Sequence, residues 1–252
     1  MATHAIRTQN LRKEYGETVA VDGIDFAVPE GTIYGFLGPN GAGKTTTMQM
    51  LTGLTTPTSG TGTVGGAPIT DRDALRPHIG YLPEEPPLFE EVSAREQLSY
   101  IAGLRDTGGP AVEERIETLL DRLDLTDDAD TRISDYSKGM RHKTAFIQAT
   151  FHDPDVVFLD EPTSGLDPRA ARTLRTLIRE LAESGTTVFL STHILPVAEE
   201  LADRVGVLYD GAIVAEASPE DLAQRAESGT GTLEDAFLEL TADDPMAAET
   251  HG

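Results

Sequence analysis

The stretch GPNGAGKTTT, residues 38–47, decides the fold because its spacing is typical of a loop that wraps around phosphate groups. Gly38, Gly43, Lys44 and Thr45 match the pattern G-x-x-x-x-G-K-[ST]. In that pattern backbone N–H groups surround the phosphates, the lysine neutralises their charge and the hydroxyl binds Mg²⁺. The predicted nucleotide-binding residues are Gly38, Pro39, Asn40, Gly41, Ala42, Gly43, Lys44, Thr45 and Thr46.

The segments on either side of this loop have the order strand, loop, helix, which the motif requires. TIYGFL at residues 32–37 is apolar and predicts a strand that runs into the loop. After Thr45, the apolar residues Met48, Leu51 and Leu54 recur at helical spacing and predict a helix that extends to Leu54.

Strand and helix patterns alternate along most of the remaining chain. Apolar stretches predict strands at 20–28, 78–82, 155–160 and 186–192, and an Asp-Gly pair predicts a hairpin within 205–217. Apolar residues recur at helical spacing in three segments: 92–125, the segment that ends near Phe151, and 168–184. Two short helices are also expected, one after Ser218 and one within LEDAFLEL. This alternation predicts an α/β fold with a parallel sheet.

Carboxylates follow the apolar strand at 155–160. In DVVFLDE, Asp160 and Glu161 stand at the carboxyl end of the strand, where ligands of open α/β sheets bind. We expect Asp160 to hold Mg²⁺ and Glu161 to polarise the attacking water. His193 ends the next strand, so its side chain and that of Glu161 are expected to converge on one γ-phosphate.

Together with SGLD at 164–167 and YSKGM at 136–140, these motifs make the chain resemble the ATP-binding subunit of an ABC transporter from Ile6 to Leu240. The resemblance implies that two subunits meet head to tail, and that Ser137, Gly139 and Asp167 of one contact the ATP of the other. It also implies that Tyr15 stacks on adenine. Lys44, Glu161 and His193 are then the catalytic residues.

The resemblance also implies a domain organisation. A P-loop NTPase (RecA-like) core with an antiparallel β subdomain is expected over residues 1–84 and 155–215. An inserted α-helical subdomain that carries YSKGM is expected over 85–154, and a short acidic extension over 216–252.

Two departures from the family pattern bear on the site. Glu84, in YLPEE, stands where the family usually has glutamine, and its carboxylate is expected either to strengthen metal contact or to weaken nucleotide binding. The predicted metal ligands are Thr45, Asp160 and Glu84. The YSKGM stretch has Tyr136, Lys138 and Met140 in place of Leu, Gly and Gln, and Lys138 and Arg141 are expected to add positive charge near the opposing nucleotide.

The composition restricts the partners. Forty-three acidic and 20 basic residues give a net charge of −23, which repels nucleic acids and anionic lipids. This acidic, lysine-poor composition resembles that of proteins from salt-loving archaea. In molar salt the Debye length falls to roughly 3 Å, so the repulsion between the acidic residues would be largely screened. There is no cysteine, no signal peptide and no long apolar span, so we expect a cytoplasmic protein without direct lipid insertion.

The predicted function is therefore that of an ATPase subunit with ATP and Mg²⁺ as its cofactors. The resemblance implies that it dimerises around two ATP and drives export, in the ABC-2 branch, through a separate permease on the inner face of the membrane. The surface from Glu84 to Phe89 is expected to carry motion from the helical segment 92–150 to that permease. The alternative is an ABC-type ATPase without a membrane partner, in translation, repair or cluster assembly; a P-loop kinase or GTPase would need neither YSKGM nor SGLD.

Overall fold

A computed structural model describes residues 3–225 and 231–241. The strands are β1 (His4–Tyr15), β2 (Thr18–Ile24), β3 (Ala27–Pro29), β4 (Ile33–Leu37), β5 (Ser59–Val64), β6 (Ala67–Pro68), β7 (Ile79–Leu82), β8 (Val156–Asp160), β9 (Thr187–Thr192), β10 (Arg204–Tyr209) and β11 (Ala212–Ala217). The helices are α1 (Lys44–Leu51), α2 (Arg72–Leu75), α3 (Ala94–Leu104), α4 (Pro110–Arg122), α5 (Lys138–Thr150), α6 (Pro168–Glu183), α7 (Leu195–Leu201), α8 (Pro219–Arg225) and α9 (Leu233–Thr241).

The larger sheet has six strands in the order β11-β10-β4-β9-β8-β7. The pairs β10–β4, β4–β9, β9–β8 and β8–β7 are parallel, and β11 closes one edge as the antiparallel half of the predicted hairpin. Every residue of β4, β8 and β9 is buried, because helices cover one face of the sheet and the smaller sheet, together with α1, covers the other. The α/β fold predicted from the alternating pattern is confirmed.

The smaller sheet is antiparallel and has the order β2-β1-β5-β6, with β3 also paired to β1. The single strand predicted at 20–28 is wrong, because the structure divides it into β2 and β3. The break lies at Asp25, whose carboxylate accepts a hydrogen bond from the Asn10 amide (2.8 Å) in place of a strand partner. As a result, β2 and β3 pair with different halves of the long strand β1.

The first helix after the phosphate loop is shorter than its periodicity predicts. α1 ends at Leu51, and Leu54 is 52% exposed, so the extension of the helix to Leu54 is wrong. The Thr52 hydroxyl donates to the Met48 carbonyl (2.8 Å), and the Leu54 amide reaches back to the Gln49 carbonyl (2.8 Å). These bonds satisfy the last carbonyls of the helix, which therefore stops there.

The helical segment between β7 and β8 shares a core with the sheet. Ser93 and Glu96 form a capping box that starts α3, and Ser137 caps α5. Leu98, Leu120 and Phe146 from this segment belong to the same hydrophobic cluster as Leu159 and Leu190 of the sheet. The sheet edge and the helices therefore form a continuous packed body.

The start of the acidic extension is helical. The Ser218 hydroxyl accepts a hydrogen bond from the Asp221 amide (3.1 Å) ahead of α8, and α9 covers the predicted LEDAFLEL helix, so both short helices are confirmed. The rest of the extension, at 226–230 and 242–252, lies outside the described residues. Among the described residues, no helix is both long and apolar enough to cross a bilayer.

Candidate active site

A cavity of about 370 Å³ opens at the carboxyl ends of β4, β8 and β9. Parallel strands end at the same edge of a sheet, and the loops that follow them separate there to leave a crevice. The lining residues are Ala20, Asn40, Gly41, Gly43, Lys44, Thr45, Thr46, Glu84, Asp160, Glu161 and His193.

The phosphate loop, residues 38–45, connects β4 to α1 along one wall of this cavity. The buried Lys44 ammonium donates to the carbonyl oxygens of Gly38 (2.7 Å) and Pro39 (3.1 Å). Burial lowers the pKa of Lys44, while the carboxylates of Glu161, Asp160 and Glu84 act in the opposite direction. An ammonium group beside three carboxylates is well placed to receive an anionic phosphate once a cation balances the acids.

Gly43 fixes the shape of the loop. Its φ of 106° lies in the left-handed region, and a Cβ at this position would collide with the Ala20 carbonyl oxygen of β2. Only glycine therefore allows the loop to approach the smaller sheet so closely.

Asp160 connects the phosphate loop to β9. One carboxylate oxygen accepts a hydrogen bond from the Thr45 hydroxyl (2.9 Å), and the other accepts one from the Ser191 hydroxyl. Thr45 and Asp160 thus lie together, and their hydroxyl and carboxylate oxygens are the ligand type that Mg²⁺ prefers. Glu84 is exposed at the rim of the same cavity.

The described residues contain no group of three or more His, Cys, Asp or Glu side chains that could hold a metal ion by themselves. A cation at Thr45 and Asp160 would therefore need further ligands, such as phosphate oxygens and water. This requirement is typical of Mg²⁺ in nucleotide sites, where the ion keeps few protein ligands.

Glu161 is held by the end of β9. Its Oε1 accepts a hydrogen bond from the His193 amide (3.0 Å) and lies 2.7 Å from His193 Nδ1. Its Oε2 accepts one from the Thr192 hydroxyl (3.1 Å). The backbone of Glu161 has a φ of 50°, which is uncommon for a residue with a side chain, and such conformations concentrate at functional sites.

Gly38, Pro39 and Ala42 of the phosphate loop do not line this cavity, and four predicted site residues outside the loop do not line it either. Ser137 and Asp167 are exposed helix caps: Ser137 Oγ accepts from the Met140 amide (3.2 Å), and Asp167 accepts from the Arg169 and Ala170 amides (2.9 and 3.0 Å). These amides lower the pKa of Asp167. Gly139 lies beside the same segment as Asp167, since a Cβ on it would touch Leu166. Tyr15 is 49% exposed on the smaller sheet, with the Lys13 ammonium 4.9 Å from its ring centroid.

The two cations expected beside Ser137 differ in their availability. Arg141 forms an ion pair with Glu90 (2.6 Å) and donates to the carbonyls of Tyr136 and Ser134, so its charge is engaged within the chain. The exposed Lys138 has its stem beside Gly165, close enough that a Cβ there would lie 3.2 Å from it. Of these two described residues, Lys138 is the exposed one, and its charge is therefore the more available at this surface.

The sequence reasoning assigned no role to Ser191 and Thr192. Both hydroxyls are buried. Ser191 donates to Asp160 at the end of β8 and Thr192 to Glu161 just after it, because Asp160 and Ser191 face each other in the β8–β9 register. Polar residues at the end of an otherwise apolar strand were a signal that could have identified them. The partner of each hydroxyl depends on the strand register, which the sequence alone does not provide.

Comparisons with known proteins place this site in a family. The family model described as "ABC transporter" matches residues 21–164. The daunorubicin resistance ATP-binding protein DrrA3 of Streptomyces coeruleorubidus is 39% identical over 91% of this chain and 72% of its own length. A solved structure described as "Structure of ATP binding subunit of ABC transporter" superposes with a TM-score of 0.88 at 29% identity, and covers 94% of this chain and 99% of its own.

A further relative is longer than this chain. The probable multidrug ABC transporter ATP-binding protein YbhF of Escherichia coli (strain K12) is 36% identical over 94% of this chain. The match spans only 42% of the length of YbhF.

Proposed function

The chain belongs to the ABC transporter family as one of its ATP-binding domains, and from that premise we propose that two copies hydrolyse ATP between them and drive export through a separate membrane permease. The observation that carries this proposal is the meeting of Lys44, Thr45, Asp160, Glu161 and His193 at one cavity. Three strands and the phosphate loop contribute to that meeting, so a chance arrangement of polar residues does not account for it.

The proposed chemistry is in-line attack of water on the γ-phosphorus of ATP, which depends mainly on positioning and charge stabilisation. Lys44 neutralises the phosphates from the loop, and Mg²⁺ held by Thr45 and Asp160, with Glu84 at the rim, supplies further positive charge. Glu161 orients the water and takes its proton. His193, whose ring lies beside Glu161, would contact the γ-phosphate.

Exposed caps support the proposed head-to-tail dimer. Ser137 and Asp167 are exposed, Gly139 is half-buried, and all three lie outside the cavity of their own chain, so their surface is available to the nucleotide of a second copy. The amides at the start of α5, the Ser137 hydroxyl and the Lys138 ammonium are suitable donors for a phosphate group. Tyr15, exposed on the smaller sheet, remains the proposed adenine platform.

A second surface supports a protein partner on the membrane side. A groove of about 440 Å³ is lined by Arg72, Arg76 and Arg105. Near it on the chain, Phe89 and Tyr100 are exposed and stack edge to face at 5.8 Å. Aromatic residues and arginines are both enriched at protein interfaces. We therefore propose that the permease docks across the Glu84–Phe89 surface and this groove.

The arginines of the groove indicate the charge of that partner. Ion pairs engage eight other arginines of the described chain, but none joins Arg72, Arg76 or Arg105 to a carboxylate. Arg105 is partly buried and lies beside Arg76, and both circumstances lower its pKa. Asp73 also lines the groove, so three arginines stand against one carboxylate there. This positive balance, on a chain with net charge −23, favours a permease segment that carries carboxylates.

The relatives favour export over the alternative without a membrane partner. Their names describe multidrug and daunorubicin resistance proteins, so we propose the ABC-2 exporter branch for this chain as well. We place the working protein in the cytoplasm, at the inner face of the membrane. The acidic surface supports a working environment of high salt.

Substitution of Glu161 tests the proposed chemistry. In Glu161→Gln, ATP should still bind, phosphate release should fall by about 10²-fold or more, and an ATP-bound dimer should accumulate in light scattering. Glu183→Gln, an exposed site at the end of α6, is the matched control and should leave turnover unchanged. Undiminished phosphate release in Glu161→Gln would remove Glu161 from the mechanism.

A further inference from the structure

Thr192 occupies a position that the proposed chemistry leaves without a role. It is the last residue of β9, it is 1% exposed, and its hydroxyl lies 3.1 Å from Oε2 of Glu161. Glu161 is itself 5% exposed, so the contact is shielded from bulk water. A hydrogen bond to a carboxylate is stronger in such surroundings than at an exposed surface.

The direction of this hydrogen bond follows from its neighbours. The Thr192 hydroxyl oxygen accepts a bond from the Ile194 amide (3.0 Å), and an ionised carboxylate can only accept. The hydroxyl proton is therefore free to point toward Glu161, and the backbone holds the oxygen in place. This arrangement defines both the position and the orientation of the donor.

The two carboxylate oxygens of Glu161 accept hydrogen bonds from donors that differ in their freedom to move. Oε1 is bonded by the amide and ring of His193, whose side chain is 54% exposed and lines the cavity. When that ring turns toward a phosphate, Oε1 loses one of its two donors. Oε2 keeps its bond to Thr192, because a buried strand residue has no room to turn away.

We propose that Thr192 is the positioning residue of the site, which holds the Glu161 carboxylate in the orientation needed to align water. This inference rests on the proposed role of Glu161. It also accounts for the left-handed backbone at Glu161: the amide bond to Ser191 O (3.1 Å) and the side-chain bond to Thr192 tie the residue to β9 at both ends. Thr192 does not line the cavity, and it acts through Glu161.

The test is ATP turnover by the full chain with Thr192→Val and Thr192→Ser. Valine keeps the shape and removes the hydroxyl, so kcat should fall about tenfold, the factor for one hydrogen bond to a charged group, while KM for ATP stays within about twofold. Serine keeps the hydroxyl and should retain kcat within about twofold. If valine and serine lower kcat equally, or if valine leaves kcat unchanged, the inference is overturned.

Thr187→Val is the matched control. Thr187 lies at the other end of β9, is equally buried, and its hydroxyl accepts a bond from the Gly31 amide (3.0 Å) far from the cavity. It should leave kcat unchanged, whatever it does to the melting temperature. If Thr192→Val fails to fold, Thr192→Ala replaces it in the comparison with serine.

A double variant separates this inference from the proposed function. In the Glu161→Gln background, Thr192→Val should cause no further loss of turnover, because the residue that it positions no longer acts as a base. An additional tenfold loss there would show that Thr192 acts independently of Glu161. If Glu161→Gln itself retained turnover, the proposed function would fail, whereas an inactive Glu161→Gln with an active Thr192→Val would overturn this inference alone.

Discussion

At the scale of single residues, the site depends on groups whose surroundings restrict both their charge and their direction. Lys44 is buried against two carbonyl oxygens, and Asp160 accepts two hydroxyl donors. Groups that are already oriented lose little further freedom when a ligand binds. The cavity is thus prepared for a phosphate before a nucleotide arrives.

His152 is expected to make stability depend on pH. Its Nε2 lies 3.0 Å from the Ile79 carbonyl, and burial, together with the nearby Arg105 and Arg115, lowers its pKa from 6.5 to about 4. Between these values the unfolded chain binds a proton and the folded chain does not, so the free energy of unfolding falls as pH falls from about 6.5 to about 4.

Urea midpoints at pH 7 and pH 5 measure this dependence. His152→Gln, which can still donate to the Ile79 carbonyl, should lose less stability over that interval than the parent chain. His4→Gln, at an exposed residue of β1, should behave like the parent. If the urea midpoint of His152→Gln falls between pH 7 and pH 5 by as much as that of the parent chain, His152 does not titrate in this range.

At the scale of elements, the pairing of β4 with β10 depends on a close approach. The Tyr34 hydroxyl of β4 is buried without a hydrogen-bond partner among the described residues, and burial raises its pKa far above the usual value. A Cβ at Gly206 of β10 would collide with this hydroxyl. The Tyr34 side chain therefore occupies the space that is left open because Gly206 has no side chain.

Gly206→Ala should destabilise the fold by about 2 kcal/mol through this collision. Tyr34→Phe should be neutral or stabilising by about 1 kcal/mol, because it removes an unsatisfied buried hydroxyl. The double variant should recover part of the alanine loss in urea unfolding. If it is no more stable than Gly206→Ala alone, the collision lies elsewhere.

The sequence predicted the elements of the parallel sheet better than those of the smaller sheet. Strands such as TIYGFL and VVFLD are apolar throughout, since both faces are buried, and this makes them conspicuous. β1 and β5 were not predicted, because the first carries four charged residues and the second contains two glycines. The length of α1 was overestimated, because periodicity does not register the hydroxyl of Thr52.

The site was predicted where its chemistry is local in sequence. The phosphate loop and the Asp160–Glu161 pair stand out because each motif occupies a few consecutive residues. Thr192 and Ser191 were not assigned roles, because their contacts depend on the alignment of β8 with β9. Residues expected to act on a second copy stay predictions, since a single chain holds no opposing nucleotide.

At the scale of the whole molecule, the excess of acidic residues should link stability to salt. A net charge of −23 makes the folded chain repel itself, and ions weaken that repulsion. We expect the melting temperature to rise as KCl increases from about 0.1 to about 2 M. Comparison with an equal osmolality of sucrose separates screening from preferential exclusion, and equal effects would contradict screening as the cause.

The arginine groove should govern attachment to the membrane partner. Charge reversal by Arg76→Glu should lower the fraction of the chain that sediments with membranes of its own host, and leave ATP turnover of the isolated chain unchanged. Arg7→Glu, an exposed charge reversal on β1, is the control and should sediment normally. Equal sedimentation of both variants would exclude the groove as the docking surface.

The contact of Gly43 with the Ala20 carbonyl has a consequence for the order in which the protein matures. The loop takes its shape against β2, and the Ala42 carbonyl accepts a further bond from the Gly211 amide at the hairpin (3.1 Å). A nascent chain in which only the central strands have assembled would lack the contacts that shape the phosphate loop. We therefore expect the chain to bind ATP only after both sheets have packed together during folding.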